Sequence, residues 1–194
     1  MSESEIFYER QFSIKVGQVF DELVSHVTEE SHLGFKESFP ALDSPDAKGE
    51  FLKDLLSLYN GICQSWHPSI SHPHKEAAYL VIGVRNCAGK PNELVHVDNA
   101  PDPALFETLI RANTMPQLSV YYRVVEREDV VHALLEIIRD DMGPAICTKT
   151  IGTLKKDDIW FRNGTSKQIA TTAQDVMQVQ KEFKKQFDGM DWQH

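Results

Sequence analysis

One uninterrupted apolar segment, Ala77–Val84, constrains the fold of this chain more than any other feature. A strand with one solvated face alternates between apolar and polar residues, whereas a strand buried on both faces is apolar throughout. The segment therefore predicts a central strand that other elements cover on both sides of a sheet.

The rest of the chain supplies helices and further strands for such a sheet. Apolar residues recur at helical spacing in several segments, and Ser44-Pro45 combines a capping serine with proline in the first turn. The predicted helices span about 15–28, 45–64, 101–110 and 172–187. The predicted strands span 33–39, 77–84, 118–125, 130–138, 145–151 and 158–162; the third and fourth form a hairpin, and Lys155–Asp157 turns between the last two. This order predicts one α+β domain over residues 1–194, with a mixed, largely antiparallel sheet flanked by helices.

The charge balance limits the kinds of partner that the chain can bind. It has 29 acidic and 20 basic residues and a formal charge of −9. This balance is evidence against a protein that coats nucleic acid through a diffuse positive field, and a nucleic-acid site would have to be a local basic patch. The acidity is also compatible with a simple role in solubility.

The cysteines and the first residues indicate a reducing compartment. Cys63, Cys87 and Cys147 are widely spaced and odd in number, so they predict no disulfide framework. Met1–Glu5 is acidic and polar, unlike a signal peptide, and no apolar run reaches the length of a membrane span. We expect a cytoplasmic protein without a membrane partner.

A basic segment near a glycine turn is the clearest candidate for chemistry. Lys149, Lys155, Lys156, Arg162 and Lys167 fall within nineteen positions, and Gly164-Thr165-Ser166 lies among them. Backbone N–H groups, hydroxyls and cations that converge on one turn can bind a phosphate group. The alternative is an ordinary polar hairpin, because Asp157 and Asp158 are interspersed with the lysines.

Three histidines near residue 70 are a weaker candidate. His67, His72 and His74 lie in a segment with two prolines, and no cysteine or carboxylate pattern accompanies them. We interpret this segment as a solvated loop and expect no metal and no other cofactor.

Several short motifs occur in a recognisable order. They are Gly34-Phe35-Lys36-Glu37-Ser38, Leu58-Tyr59-Asn60-Gly61, the Tyr79–Val84 strand, Pro116, Pro144, and Trp160–Ser166 followed by Ala170–Val176. In order and spacing they resemble the Schlafen/AlbA-type family of DNA-binding domains. The resemblance covers about residues 28–179 and implies an α+β fold that contacts nucleic acid.

In the Schlafen branch the resemblance also implies a metal-dependent ribonuclease built on three carboxylates. At the matching positions this chain has Glu29, Gly34 and Asn86. Glycine supplies no ligand and asparagine only a neutral one, so we expect that the chain does not cut nucleic acid. Glu30, Glu37 or Asp98 are the residues that could substitute.

The leading hypothesis is a domain that binds DNA or RNA through its phosphates. The expected contacts are Lys36, Lys149, Lys155, Lys156, Arg162 and Lys167, with hydrogen bonds from Thr165 and Ser166. In the family's pattern Lys36 and Arg162 belong to the common frame, and Arg162 could instead pair with a carboxylate of the same domain.

Two alternatives belong to other classes of function. The first is a protein–protein interaction or assembly module of a regulatory or phage-defence system, with a partner chain or a homodimer formed through Val176, Val179, Phe183 and Phe187. The second is a Schlafen-like endoribonuclease, whose Mn²⁺- or Mg²⁺-dependent cleavage would disappear when Glu29 is replaced.

Overall fold

The computed structural model describes residues 3–26, 28–63, 65–87, 90–97, 102–127, 129–140 and 142–188. Its helices are α1 (Glu3–Ser25), α2 (Pro45–Tyr59), α3 (Pro103–Asn113) and α4 (Ala173–Asp188). The strands are β1 (Leu33–Lys36), β2 (His67–Pro68), β3 (Glu76–Ile82), β4 (Val84–Arg85), β5 (Glu93–Leu94), β6 (Thr114–Met115), β7 (Ser119–Arg127), β8 (Val130–Ile138), β9 (Ile146–Cys147), β10 (Trp160–Asn163) and β11 (Ser166–Ile169).

The main sheet has the order β1-β3-β8-β7, and the short strand β2 also pairs with β3. β1 runs parallel to β3, while β8 is antiparallel to both β3 and β7. The α+β class and the mixed, largely antiparallel sheet predicted from the sequence are confirmed.

The central strand β3 is buried on both faces, as its composition predicted. Leu80 and Ile82 pack in a core cluster with α2, whereas Tyr79 and Val81 point to the opposite cluster, which contains the second half of α1. Residues Ala77–Ile82 are each at most 1% exposed. The continuous apolar run exists because helices cover the sheet on both sides.

The predicted start of α2 is also confirmed. Ser44 is the N-cap, its Oγ accepts a hydrogen bond from the N–H of Ala47 at 3.2 Å, and Pro45 is the first helical residue. The helix ends at Tyr59 instead of the predicted residue 64, and Asn60 is the C-cap.

Two other segments differ from the sequence prediction. α1 begins at Glu3, twelve positions before the predicted start at residue 15. The sequence did not predict this first part of the helix, because residues 7–15 are exposed and carry no one-sided apolar pattern. Between 145 and 151 only β9 is a strand, and it pairs with β6. The chain then turns at Gly152, where φ is +54°.

The last strands also pair differently from the prediction. β10 pairs with β11, a strand that the sequence did not indicate, instead of with residues 145–151. Among the described residues, no helix is both long enough and apolar enough to cross a membrane.

Candidate nucleic-acid interface

The glycine turn joins β10 and β11 in a tight hairpin. Asn163 pairs with Ser166, so Gly164 and Thr165 form a two-residue loop. Gly164 has φ +61° at the first loop position, the pattern of a type II′ turn, which suits the twist of paired strands. Thr165 and Ser166 are exposed at the tip, where their hydroxyls are accessible.

Two hydrogen bonds to backbone groups of the hairpin hold it against the body of the domain. The N–H of Gly164 donates to Ser31 Oγ at 2.9 Å, and the N–H of Ile62 donates to the carbonyl of Arg162 at 2.8 Å. The tip is therefore fixed relative to β1 and to the end of α2.

Arg162 is buried within the domain and is not a surface cation. The residue is 3% exposed, and its Nη1 donates to the carbonyl of Leu33 at 3.0 Å and lies 3.5 Å from Glu29 Oε2. The sequence analysis gave, as the alternative role of Arg162, a pair with a carboxylate of the same domain. The contact with Glu29 agrees with that alternative. Arg162 ties the hairpin to β1.

The three positions that correspond to the carboxylates of the Schlafen branch have other roles here. Glu29 pairs with Arg162, and its Oε1 accepts a hydrogen bond from the N–H of Phe35 at 2.7 Å. A Cβ at Gly34 would lie 3.2 Å from Arg162 Nη2, so the buried guanidinium fills the space of a side chain there. Asn86 is exposed beyond β4.

Two of the three residues named as possible substitutes, Glu30 and Glu37, are paired with other side chains. Glu30 pairs with His26 at 3.0 Å, and Glu37 forms two hydrogen bonds with Arg85, which lower the pKa of the Glu37 carboxyl. Asp98 lies outside the described residues. In the described part of the chain, no group of three or more His, Cys, Asp or Glu side chains could hold a metal ion.

Lys36 and Lys167 meet at one buried carboxylate. Lys36 Nζ lies 2.9 Å from Asp54 Oδ2, and Lys167 Nζ lies 2.8 Å from Asp54 Oδ1. The Asp54 side chain is 4% exposed, whereas those of Lys36 and Lys167 are 39% and 30% exposed. Two cations share one anion, so the exposed side of this cluster keeps a net positive charge.

The structure places the other three lysines on a separate segment, between β9 and β10. Lys149, Lys155 and Lys156 are all exposed. Lys156 Nζ lies 3.9 Å from Asp157, and the N–H of Lys155 donates to Asp158 Oδ2 at 3.0 Å. The acidic residues that favoured an ordinary polar turn are therefore in contact with this group.

Two residues that the sequence analysis did not single out connect the two lysine groups. Lys53 precedes Asp54 on α2, and its Nζ donates to Thr153 Oγ1 at 2.6 Å, in the segment that carries the exposed lysines. The same Nζ lies 4.9 Å from the ring centroid of Trp160 on β10. In the sequence, the adjacent charges of Lys53 and Asp54 within an otherwise apolar part of α2 could have indicated these contacts.

Comparison with known proteins identifies the fold and no function. No protein-family model matches the chain, and no curated protein is significantly similar to it. It is similar to the crystal structure of the DIP2311 protein from Corynebacterium diphtheriae, with a TM-score of 0.51 and 14% sequence identity. The match covers 91% of this chain but 29% of that one, so this chain spans less than a third of its length.

Proposed function

We propose that this chain binds nucleic acid through phosphate contacts beside the β10–β11 hairpin and does not cleave it. The observation that carries the proposal is the meeting of Lys36 and Lys167, from distant parts of the sequence, at Asp54. Asp54 neutralises one of the two charges and holds both ammonium groups in place, so little side-chain entropy is lost when a phosphate binds.

The remaining contacts extend this cluster in two directions. Thr165 and Ser166 offer hydroxyl donors at the tip of the hairpin, and Lys149, Lys155 and Lys156 offer exposed charges beyond Lys53. Arg162 acts in this proposal as the residue that positions the hairpin. Such contacts fix a strand by its backbone and do not read its bases. The free thiols of Cys63, Cys87 and Cys147 fit the cytoplasm as the place of this activity.

A salt titration of binding to a fluorescent DNA duplex and a single-stranded RNA tests the proposal. Five lysine contacts predict a slope of log affinity against log salt of about −4.5 for duplex DNA. Replacing Lys36→Gln together with Lys167→Gln should reduce the slope by about 2. Glutamine can still donate a hydrogen bond to Asp54, and an unchanged circular dichroism spectrum would verify that the fold of the variant is retained.

The matched control removes the same charge from another face, with Lys181→Gln and Lys184→Gln on the exposed side of α4. It should leave the slope unchanged. Absence of binding at low salt, or equal losses in the two double variants, would refute the proposed site. Cleavage of either probe in Mg²⁺ or Mn²⁺ would contradict the second half of the proposal.

A second candidate function, assembly through a homodimer, is supported by α1 and not by α4. On α4, Val179 and Phe183 are buried in the domain's own core, and the side chain of Phe187 lies outside the described part. Four exposed apolar residues, Phe7, Tyr8, Phe12 and Ile14, instead lie close together in sequence on the first half of α1.

A further inference from the structure

A cleft lies between α3 and the segment after β9, away from the Asp54 cluster. Its volume is about 580 Å³, within the range of sites that hold a small ligand. Apolar side chains form most of the lining: Leu42, Leu105, Leu109 and Ile151.

Close backbone contacts fix the walls of this cleft. A Cβ at Gly49 on α2 would lie 2.4 Å from the carbonyl oxygen of Ile151, so only glycine permits this approach. The N–H of Thr148 donates to the carbonyl of Asn113 at 2.9 Å and ties the other wall to the end of α3. The cleft is therefore formed before any ligand arrives.

Two lysines from different elements line the same cleft. Lys48 lies on α2 and Lys149 follows β9. Neither forms an ion pair with any residue that the structure describes, in contrast to Lys36, Lys53 and Lys167. Two unpaired cations beside an apolar surface suit a ligand that is both apolar and anionic.

Asn113 adds a third feature to the apolar lining and the two lysines of this cleft, a buried hydrogen-bond acceptor without a donor. The residue is 3% exposed and lines the cleft, and its Nδ2 donates to the carbonyl of Leu109. Its Oδ1 is buried and accepts no hydrogen bond in the described structure. A buried acceptor without a donor is unfavourable, so a ligand that brings an N–H group would be favoured here.

We propose that this cleft binds the carboxyl terminus of a peptide whose last residue is apolar. The carboxylate pairs with Lys48 and Lys149, the last side chain packs against Leu105 and Leu109, and a peptide N–H donates to Asn113. Capture of a terminal carboxylate is a recurrent mode of peptide recognition, and this ligand satisfies all three features of the cleft.

Fluorescence polarisation with a labelled hexapeptide that ends in Leu-Leu and a free carboxylate tests the proposal. The same peptide made as a carboxamide should bind roughly tenfold more weakly, because it cannot pair with the lysines. Lys48→Gln should weaken binding of the acid peptide and leave the amide unaffected. Ala112→Trp, which fills the cleft from an exposed position on α3, should abolish binding of both.

Lys155→Gln removes the same charge from a nearby residue outside the cleft lining and should leave the affinity unchanged. Equal binding of acid and amide, or no binding of the acid, overturns the proposal. Stronger competition by decanoate than by the unlabelled peptide would also overturn it, in favour of a small amphipathic acid. Lys149 belongs to both proposed sites, but Lys48 and Ala112 are not among the proposed phosphate contacts, so these two variants test the cleft separately from nucleic-acid binding.

Discussion

Asn60 connects three parts of the chain through one buried side chain. Its Nδ2 donates to the carbonyls of Ala145 and Trp160, both at 2.8 Å, and its Oδ1 accepts from the N–H of Ala145 at 2.8 Å. The residue is 0% exposed. It anchors β10, and with it the proposed phosphate site, to the end of α2.

Asn60→Ala should therefore destabilise the domain strongly. Two carbonyls and one N–H would lose their partner inside the protein, and we expect the free energy of unfolding in urea to fall by about 3 kcal/mol. Asn163→Ala, at an exposed position of the same hairpin, should change it by less than about 0.5 kcal/mol. Similar effects of the two substitutions would show that Asn60 has no anchoring role.

At the scale of elements, one carboxylate on β8 holds the segment that follows β2. Glu136 is 0% exposed and accepts hydrogen bonds from the hydroxyls of Ser69 and Ser71 and from the N–H of Ile70. Burial alone would raise the pKa of Glu136, but these hydrogen bonds outweigh it and hold the pKa below its ordinary value of 4.5.

This lowered pKa predicts a loss of stability in acid. The unfolded chain takes up a proton at Glu136 at a higher pH than the folded one, so the contribution is complete above about pH 4.5 and decreases as the pH falls through the folded pKa. In Glu136→Gln, the melting temperature should decrease less between pH 5 and pH 3, roughly the range in which Glu136 takes up its proton. Glu107→Gln, exposed on α3, should retain the wild-type slope; an unchanged slope in Glu136→Gln would be the contrary result.

The elements also differ in how well the sequence predicted them. β3, α2 and the β7–β8 hairpin were predicted because their burial is regular and leaves a periodic apolar pattern. The first half of α1 and most of β11 are exposed, so neither produced such a pattern, whereas β9 is a two-residue part of the predicted strand 145–151. Pairing of β10 with β11 depends on where Gly164 turns the chain, a matter of backbone conformation that hydrophobicity does not report.

At the scale of the whole molecule, two exposed features lie together on one side. Phe7 and Tyr8 on α1 are 59% and 72% exposed. β7 ends the main sheet, and Val124 on it is also exposed. Phe12 connects the two features, because the Arg123 guanidinium lies 4.6 Å from its ring centroid. A helix with several exposed apolar side chains beside a strand at the sheet edge is suited to pairing with a second copy.

A homodimer through this surface should have twice the 22.1 kDa mass of one chain in light scattering. Phe7→Gln together with Tyr8→Gln should give a monomer with an unchanged circular dichroism spectrum in the near ultraviolet. Met177→Gln, which removes an exposed apolar residue from α4, should leave the dimer intact. A mass of one chain for the unaltered protein at every concentration would argue against assembly.

The candidate site shows where reasoning from the sequence stops. Lys53 was not identified from the sequence, and neither was the separation of the other cations into a buried arginine, a pair at Asp54 and an exposed group. Lys36 and Asp54 are eighteen positions apart and Lys167 is more than a hundred positions away, so their meeting depends on the packing of α2 against β1 and β11.

The sequence by itself determined the class of fold, the central strand and most helices, because apolar periodicity records which faces are buried. Tertiary structure alone decided which charges are buried, which are neutralised and which reach solvent. The physical reason is that hydrophobic burial is encoded locally, residue by residue, whereas the energy of a charge depends on what the fold places within a few ångströms of it.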